Sequence, residues 1–231
     1  MKLFSVLAVG LLLAGPVSAQ DIDKGLAAYR AGDYATALQE WRPLAEQGYT
    51  LAQSNLGLMY NLGNGVLQDY AEAVKWFRLA AEQGQAIAQS NLGFMYENGN
   101  GVLQDYAEAV KWYRLAAVQG YALAQSNLGF MYDLGNGVLQ DYAEAVKWYR
   151  LAAEQGNARA QSNLGFMYDN GEGVLQDAVL AHMWYNIAGA NGSALGSENR
   201  GKIEQRMTRE QIAEAQALAR RCMASNYQDC G

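Results

Sequence analysis

The sequence predicts an all-α fold, a solenoid of helix pairs that bury their apolar faces only against one another. The first observation is an internal repeat of 36 residues: Ala-Gln-Ser-Asn-Leu-Gly-x-Met-Tyr begins at Ala52, Ala88, Ala124 and Ala160. The second is that every repeat holds two stretches with apolar residues at helical spacing, which glycines separate. A repeat of this length is one supersecondary unit, and such a unit needs its neighbours to complete a core.

Residues 1–19 are predicted to be a secretory signal peptide. Lys2 is followed by an apolar run from Leu3 to Ala14, and a small-residue cleavage pattern ends at Ala19. The run is shorter than the stretch of about 20 apolar residues that a membrane anchor needs. We therefore expect cleavage after Ala19 and an exported mature chain, periplasmic or secreted, with no membrane span.

The charge of the chain is negative. It is −6 for the whole sequence and becomes −7 when the one positive charge of Lys2 leaves with the signal peptide. No basic stripe offsets this charge, so nucleic-acid binding is disfavoured electrostatically. Apolar residues make up 51% of the chain and only two prolines occur, which is typical of a folded protein.

Residues 20–48 are predicted to form a shorter helical hairpin that caps the N-terminal end of the stack. Only a short turn through Gly32 separates Tyr29 from Asp33, where the later units have a longer glycine loop. Pro43 falls inside the second helix of this hairpin, and we expect it to kink or shorten that helix.

Four full repeats follow, and the first of them shows how each one folds. Its first helix ends at Gly63-Asn64-Gly65, because glycine tolerates the left-handed conformation that a helix end commonly requires. Asp69 is a predicted N-cap of the second helix, and Glu72 would complete a capping-box-like pair. The four repeats are predicted to occupy residues 49–84, 85–120, 121–156 and 157–192.

All five tryptophans follow this scheme. Four of them are spaced by 36 residues and the fifth belongs to the N-terminal hairpin: Trp76, Trp112, Trp148, Trp184 and Trp41. Because aromatic side chains are mostly buried, we interpret them as packing between helices rather than as a stack for a ligand.

Residues 193–231 are predicted to form a capping helix and a tethered tail. Leu180 and Met183 occupy positions that are charged in the preceding repeat, so we expect this face to be covered. The covering helix would follow Thr208, which forms a capping-box pattern with Gln211. An exposed docking patch at Leu180 and Met183 is the alternative.

The two cysteines lie in this tail. An oxidising compartment favours a disulfide between Cys222 and Cys230. In one continuous helix they would be about 12 Å apart, too far for a bridge, so the helix must end near Ala224. A redox pair is the alternative, although such pairs usually have closer spacing.

No catalytic constellation is evident, and the sequence predicts no catalytic residue, no cofactor and no metal site. The one histidine, His182, has no nominated nucleophile and no cysteine or histidine companion for a metal. We interpret it as a packing residue at a helix interface.

The repeats resemble the Sel1-like repeat family over roughly Tyr49 to Gly192. The resemblance implies antiparallel helix pairs stacked into a right-handed superhelix akin to tetratricopeptide arrays, and the N-terminal hairpin is closer to a tetratricopeptide unit. It also implies an adaptor for protein complexes, in bacteria often in the envelope. The matching residues of the first full repeat are Ala52, Leu56, Gly57, Tyr60, Gly63, Gly65, Val66, Asp69, Ala73, Trp76, Ala80 and Ala81.

Differences between the repeats suggest where a partner would bind. Positions 51, 54, 58 and 61 of the first helix share one stripe, which in tetratricopeptide-like arrays lines a groove. We expect this stripe to suit an extended peptide with apolar and basic side chains. Filling of the space between adjacent units by the phenylalanines is the alternative. The predicted partner-binding residues are Leu58, Phe94, Phe130, Phe166, Glu97, Asp133 and Asp169.

The leading functional hypothesis is therefore a non-catalytic scaffold for protein–protein interaction in the bacterial envelope. The second is a protein that binds or hydrolyses a cell-wall component or a β-lactam, as proposed for a cysteine-rich branch of the same family. Here no cysteine falls within any repeat, which weakens that hypothesis. A third is a structural role in self-assembly.

Overall fold

The computed structural model describes residues 19–230, and the predicted signal peptide lies outside them apart from Ala19. These residues form twelve helices and no strand, and none of the helices has the length and apolar character needed to span a bilayer. The all-α prediction is confirmed. The helices are α1 (Ala19–Arg30), α2 (Tyr34–Glu46), α3 (Thr50–Leu62), α4 (Tyr70–Glu82), α5 (Ala86–Asn98), α6 (Tyr106–Ala117), α7 (Ala122–Leu134), α8 (Tyr142–Ala153), α9 (Ala158–Asn170), α10 (Ala178–Ala190), α11 (Ala194–Glu204) and α12 (Arg209–Ala224).

Each repeat contributes a first helix, here called helix A (α3, α5, α7, α9), and a second, helix B (α4, α6, α8, α10). Helix A packs on helix B of its own repeat, and helix B packs on helix A of the next repeat. Every junction therefore has its own small core. In one of these cores, Phe77 of α4 packs with Leu92 and Met95 of α5 and with Trp112 of α6.

Helices A and B approach closely because a glycine of one faces an aromatic ring of the other. A Cβ on Gly93 of α5 would lie 2.8 Å from the ring of Tyr113, closer than real Cβ contacts. The same contact recurs in each full repeat, with phenylalanine in place of tyrosine at Phe77. Glycine is therefore required here for space, since any side chain would push the two helices apart.

A buried glutamine of helix A ties consecutive repeats together. Gln89 donates its amide to the carbonyl of Ala81 at the end of α4 (3.1 Å) and accepts from Gln119 of its own repeat (2.8 Å). These bonds satisfy a side chain that would otherwise be costly to bury. Equivalent glutamines occupy the other three repeats: Gln53, Gln125 and Gln161.

The loop between helices A and B rests on the preceding repeat. A Cβ on Gly101 would lie 2.3 Å from the carbonyl oxygen of Tyr70, and the φ of Gly101 is +71°, so glycine is needed on both counts. Asp69 caps α4 as predicted, accepting from the backbone of Ala71 and Glu72. The predicted reciprocal bond from Glu72 is wrong, because its carboxylate pairs with a lysine on its own helix, Lys75.

The N-terminal hairpin consists of α1 and α2. Its core holds Trp41, whose indole nitrogen donates to the carbonyl of Ile22 at 3.3 Å. Pro43 does not shorten α2, which continues to Glu46 and has the same 13 residues as α4. The missing N–H of Pro43 therefore costs the helix one hydrogen bond without ending it.

The C-terminal region contains a helix that the sequence reading did not identify. α11 follows α10, and its N-cap is Ser193, whose hydroxyl accepts from Gly196 N at 3.0 Å. α12 follows with the predicted capping box between Thr208 and Gln211. The prediction of one capping helix is therefore incomplete, since two helices pack against α10.

α12 covers the apolar face of the last repeat. Met183 is fully buried in the same cluster as Ala219 and Cys222, and Leu180 is half-buried against it. The prediction that the face of Leu180 and Met183 is covered is confirmed, and the alternative of an exposed docking patch is wrong. Beyond α12 the chain turns back, and Cys222 and Cys230 form a disulfide with Cα atoms 4.4 Å apart.

Replacing Gly101 by alanine should destabilise the array more than an ordinary glycine substitution. Gly101→Ala combines the left-handed φ with the clash against Tyr70, so we expect the free energy of unfolding to fall by about 3 kcal/mol or more. Gly84→Ala is the matched control, because its φ is +89° but nothing lies within 4 Å of the new Cβ; it should cost about 1 kcal/mol. Urea unfolding of both variants measures the difference, and equal losses would contradict a tight contact between loop and helix.

Removing the disulfide should loosen the end cap. Cys230→Ser leaves the buried Cys222 thiol in place, and we expect it to lower the free energy of unfolding by about 2–3 kcal/mol, from the closure of a short loop. A reductant should lower the stability of the native chain to the same level and leave the variant unchanged. Thermal unfolding with and without reductant checks this, and a native chain insensitive to reductant would contradict it.

Candidate partner-binding site

The predicted partner-binding residues lie on the surface of helix A that faces solvent, here called the helix A face. Its apolar row, Leu58, Phe94, Phe130 and Phe166, is partly open to solvent. Phe94 and Phe166 are 46% and 45% exposed, while Leu58 and Phe130 are half-buried against the cores beside them. The two alternatives for the phenylalanines, a partner-binding surface or filling of the space between repeats, therefore apply to different residues. Two of the rings present a free face, and Phe130 also fills space between repeats.

Phe130 is covered by an arginine from the next repeat. The guanidinium carbon of Arg159 lies 4.8 Å from the centre of the Phe130 ring, and one of its nitrogens donates to Asn127 at 3.3 Å. Leu123 holds the position equivalent to Arg159 in the preceding repeat, one period earlier. The chain thus contains one internal example of a cation stacked on this row.

Position 54, which the sequence reading placed on the same stripe, is not part of the open surface. Ser54, Ser90, Ser126 and Ser162 are all buried. Helix A contacts helix B on both sides, so its solvent face is narrower than the sequence pattern indicates. Asparagines at position 55 and its equivalents lie beside the row instead; of these, Asn127 is buried.

The predicted acidic residues are held by buried tyrosines of helix B. Tyr113 donates its hydroxyl to Glu97 at 2.5 Å, and Tyr149 donates to Asp133 at 3.1 Å. Burial and the neighbouring carboxylates raise the pKa of both phenols far above the ordinary value, so each stays a donor. Burial also raises the pKa of Asp133.

Asp169 already has a cationic partner. Arg206, in the connection between α11 and α12, forms an ion pair with its carboxylate. Of the three predicted acids, Asp169 is therefore engaged by the end cap, while the ion pairs of the described residues leave Glu97 and Asp133 without a cation.

His182 lies outside this surface, in the core of the C-terminal region. It is fully buried, and its Nε2 is 2.8 Å from a carboxylate oxygen of Glu204 on α11. This agrees with a packing role. Within residues 19–230, no group of three or more His, Cys, Asp or Glu side chains is arranged to hold a metal ion.

The sequence reading missed one feature, a row of exposed leucines in the loops between helices A and B. Each side chain is 90–91% exposed. The signal was in the sequence, because an apolar residue stands at the same position of every loop, two residues before the capping aspartate. This loop leucine row consists of Leu67, Leu103, Leu139 and Leu175.

The bond between Glu97 and Tyr113 should be measurable by a double-mutant cycle. The first full repeat has Asn61 and Phe77 at these positions, so the fold accepts both replacements. We expect Glu97→Asn and Tyr113→Phe to show a coupling free energy of about 1.5–3 kcal/mol, the range for a hydrogen bond to a charged group. Denaturant unfolding of the single and double variants measures it, and additive effects would contradict the bond.

Comparison with known proteins points to one family. The family model described as the Sel1 repeat matches residues 50–85, 86–121, 122–157 and 158–193. A search of the curated proteins finds no match. Sel1 repeat proteins are helical repeat scaffolds that are generally non-catalytic and generally mediate protein–protein interaction.

Solved structures are similar to this chain, and two of them illustrate the extent of the likeness. One is a protective antigen present in uropathogenic Escherichia coli strains that displays an SLR fold, 40% identical with a TM-score of 0.77; the match covers 90% of this chain and 44% of that one. The other is a Sel1 repeat protein from Oxalobacter formigenes, 36% identical with a TM-score of 0.74, covering 78% of this chain and 74% of that one. The chain thus spans less than half the length of the first. The family match over four consecutive repeats confirms the resemblance, and the chain belongs to the Sel1 repeat family.

Proposed function

We propose that the chain is an exported scaffold of the bacterial envelope, periplasmic or secreted, that binds an extended peptide segment of a protein partner along the helix A face. The single observation that carries this proposal is the half-exposed state of Phe94 and Phe166 on a rigid array. Large aromatic side chains held in place with one free face are the residues that dominate binding energy at interfaces.

The charge of the site favours a partner with basic side chains. Glu97 follows Phe94 by one helical turn, and Asp133 follows Phe130 in the same way. Two arginines of the chain itself show how a cation meets such positions, Arg159 on the Phe130 ring and Arg206 on Asp169. A partner's lysine or arginine would find the equivalent contacts at Phe94, Glu97 and Asp133.

Export is supported by two independent features. The predicted signal peptide at residues 1–19 has the charge, apolar run and cleavage pattern of a secretory leader. The disulfide between Cys222 and Cys230 is of the kind that persists in oxidising compartments. Both features favour the same location outside the cytoplasm.

The aromatic row can be tested with a matched control. We expect Phe94→Ala combined with Phe166→Ala to weaken partner binding by about tenfold or more, since each ring loses its contact with the peptide. Leu195→Ala is the control, because Leu195 is 54% exposed but lies on α11, away from the helix A face. The partner is captured from envelope extract, and its affinity for each variant is then measured by titration.

Equal affinities for the native chain and the double phenylalanine variant would refute the site. Failure of the native chain to capture any protein, together with its sedimentation with purified cell-wall sacculi, would favour the cell-wall alternative instead.

A further inference from the structure

The loop leucine row places large apolar side chains almost wholly in solvent. Leu67, Leu103, Leu139 and Leu175 are 90–91% exposed, although the valine just before each of them is half-buried. Single exposed leucines are ordinary on protein surfaces, but here four occupy the same position of consecutive loops, so they lie along one edge of the array. Tyr70 and Tyr106, each three residues after a leucine, are also exposed and extend this edge.

These leucines are held out by a rigid loop. In the second repeat, Gln104 donates its amide to the carbonyl of Glu97 (2.8 Å) and to the hydroxyl of Tyr106 (3.0 Å). The backbone N–H of Asp105 donates to the carbonyl of Tyr96 at 3.0 Å. The exposure of Leu103 is therefore built into the loop, and a partner would not have to order it on binding.

Apolar grooves lie on the surface of two of the B helices, α4 and α8. On α4, a groove of about 460 Å³ is lined by Ala71, Val74 and Leu79 and closed at one end by Gly101, two residues before Leu103. Lys75 and Arg78 form its rim. An equivalent groove of about 340 Å³ on α8 is lined by Val146 and Leu151, with Lys147, Arg150 and Glu154 at the rim.

The loops that carry the leucines and the rims of the grooves have opposite charges. Leu103 stands two residues before the exposed Asp105, and Leu139 stands in the same relation to Asp141. An apolar side chain beside a carboxylate matches the α4 groove, whose rim carries lysine and arginine only; the α8 groove has the same two cations together with Glu154. The rim cations of the α4 groove already have half-buried partners, Glu72 for Lys75 and Tyr96 for Arg78. The ion pair between Lys75 and Glu72 is of the surface kind that contributes little and can exchange.

We propose that two copies of this chain associate along this edge, the loop leucines of each copy entering the helix B grooves of the other. The leucines recur every 36 residues, and the groove residues Val74, Lys75, Arg78 and Leu79 have identical equivalents in α6 and α8. The spacing of the leucines in one copy therefore equals the spacing of these helix B surfaces in the other. The leucine loops and these surfaces also adjoin one another, as a two-fold symmetric interface requires of self-complementary features. This interface uses the loops and helix B, and it leaves the helix A face free.

Sedimentation equilibrium of the purified protein tests the association. We expect a concentration-dependent dimer, and Leu103→Ser with Leu139→Ser should raise its dissociation constant by about 100-fold or more, because two leucines of each copy lose their burial. Leu51→Ser with Leu123→Ser is the control. Both leucines are exposed at the start of helix A, about 18 Å from its loop end, and the control should leave the dimer unchanged.

The charge contribution is tested separately. Asp105→Asn with Asp141→Asn keeps an effective N-cap while removing the carboxylate, and it should weaken the dimer several-fold without unfolding α6 or α8. A protein that stays monomeric at every concentration, or a dimer that the leucine variant does not weaken, would overturn the proposal. Partner capture by the leucine variant reports on the helix A face alone, so the two proposals fail independently.

Discussion

The close approach of helix A to helix B, made possible by a glycine beneath an aromatic ring, is the contact on which the rest of the molecule depends. Gly93 lets Tyr113 lie flat against α5, and the hydroxyl of that ring then reaches Glu97 one turn further along. One contact thus sets the distance within the repeat and fixes an acidic side chain on the surface. In the first full repeat Phe77 keeps the packing but has no hydroxyl, and Asn61 stands where the acid would be.

Much of the fold could be predicted because the same helix caps and loop glycines recur in every repeat of the sequence. The capping aspartates, the loop glycines and the capping box at Thr208 are local signals that neighbouring contacts do not alter. The burial of Met183 followed from comparing one repeat with the next. α11 was missed because its glycines and polar residues carry little apolar periodicity, although Ser193 stands one period after the N-cap Asn157.

The candidate site was less predictable, because its state depends on residues from other repeats. The repeat pattern predicts that Phe130 lies in the row with Phe94 and Phe166. It does not predict that Arg159 of the following helix A lies over the Phe130 ring. Likewise Asp169 differs from Asp133 only because the end cap brings Arg206 to it. The burial of Ser54 depends on contacts on both sides of helix A, which a single-helix pattern does not contain.

The buried glutamine of each helix A has a consequence for how such proteins can change length. Gln89 bonds to the repeat before it and to the helix that follows it, and Gln125 makes the same bonds one unit later. Every junction between internal repeats therefore has the same glutamine hydrogen bonds, whichever repeat follows. Gene duplication or loss of one whole unit leaves no orphaned amide behind, so evolution can lengthen or trim the array while only the two end pieces remain specialised.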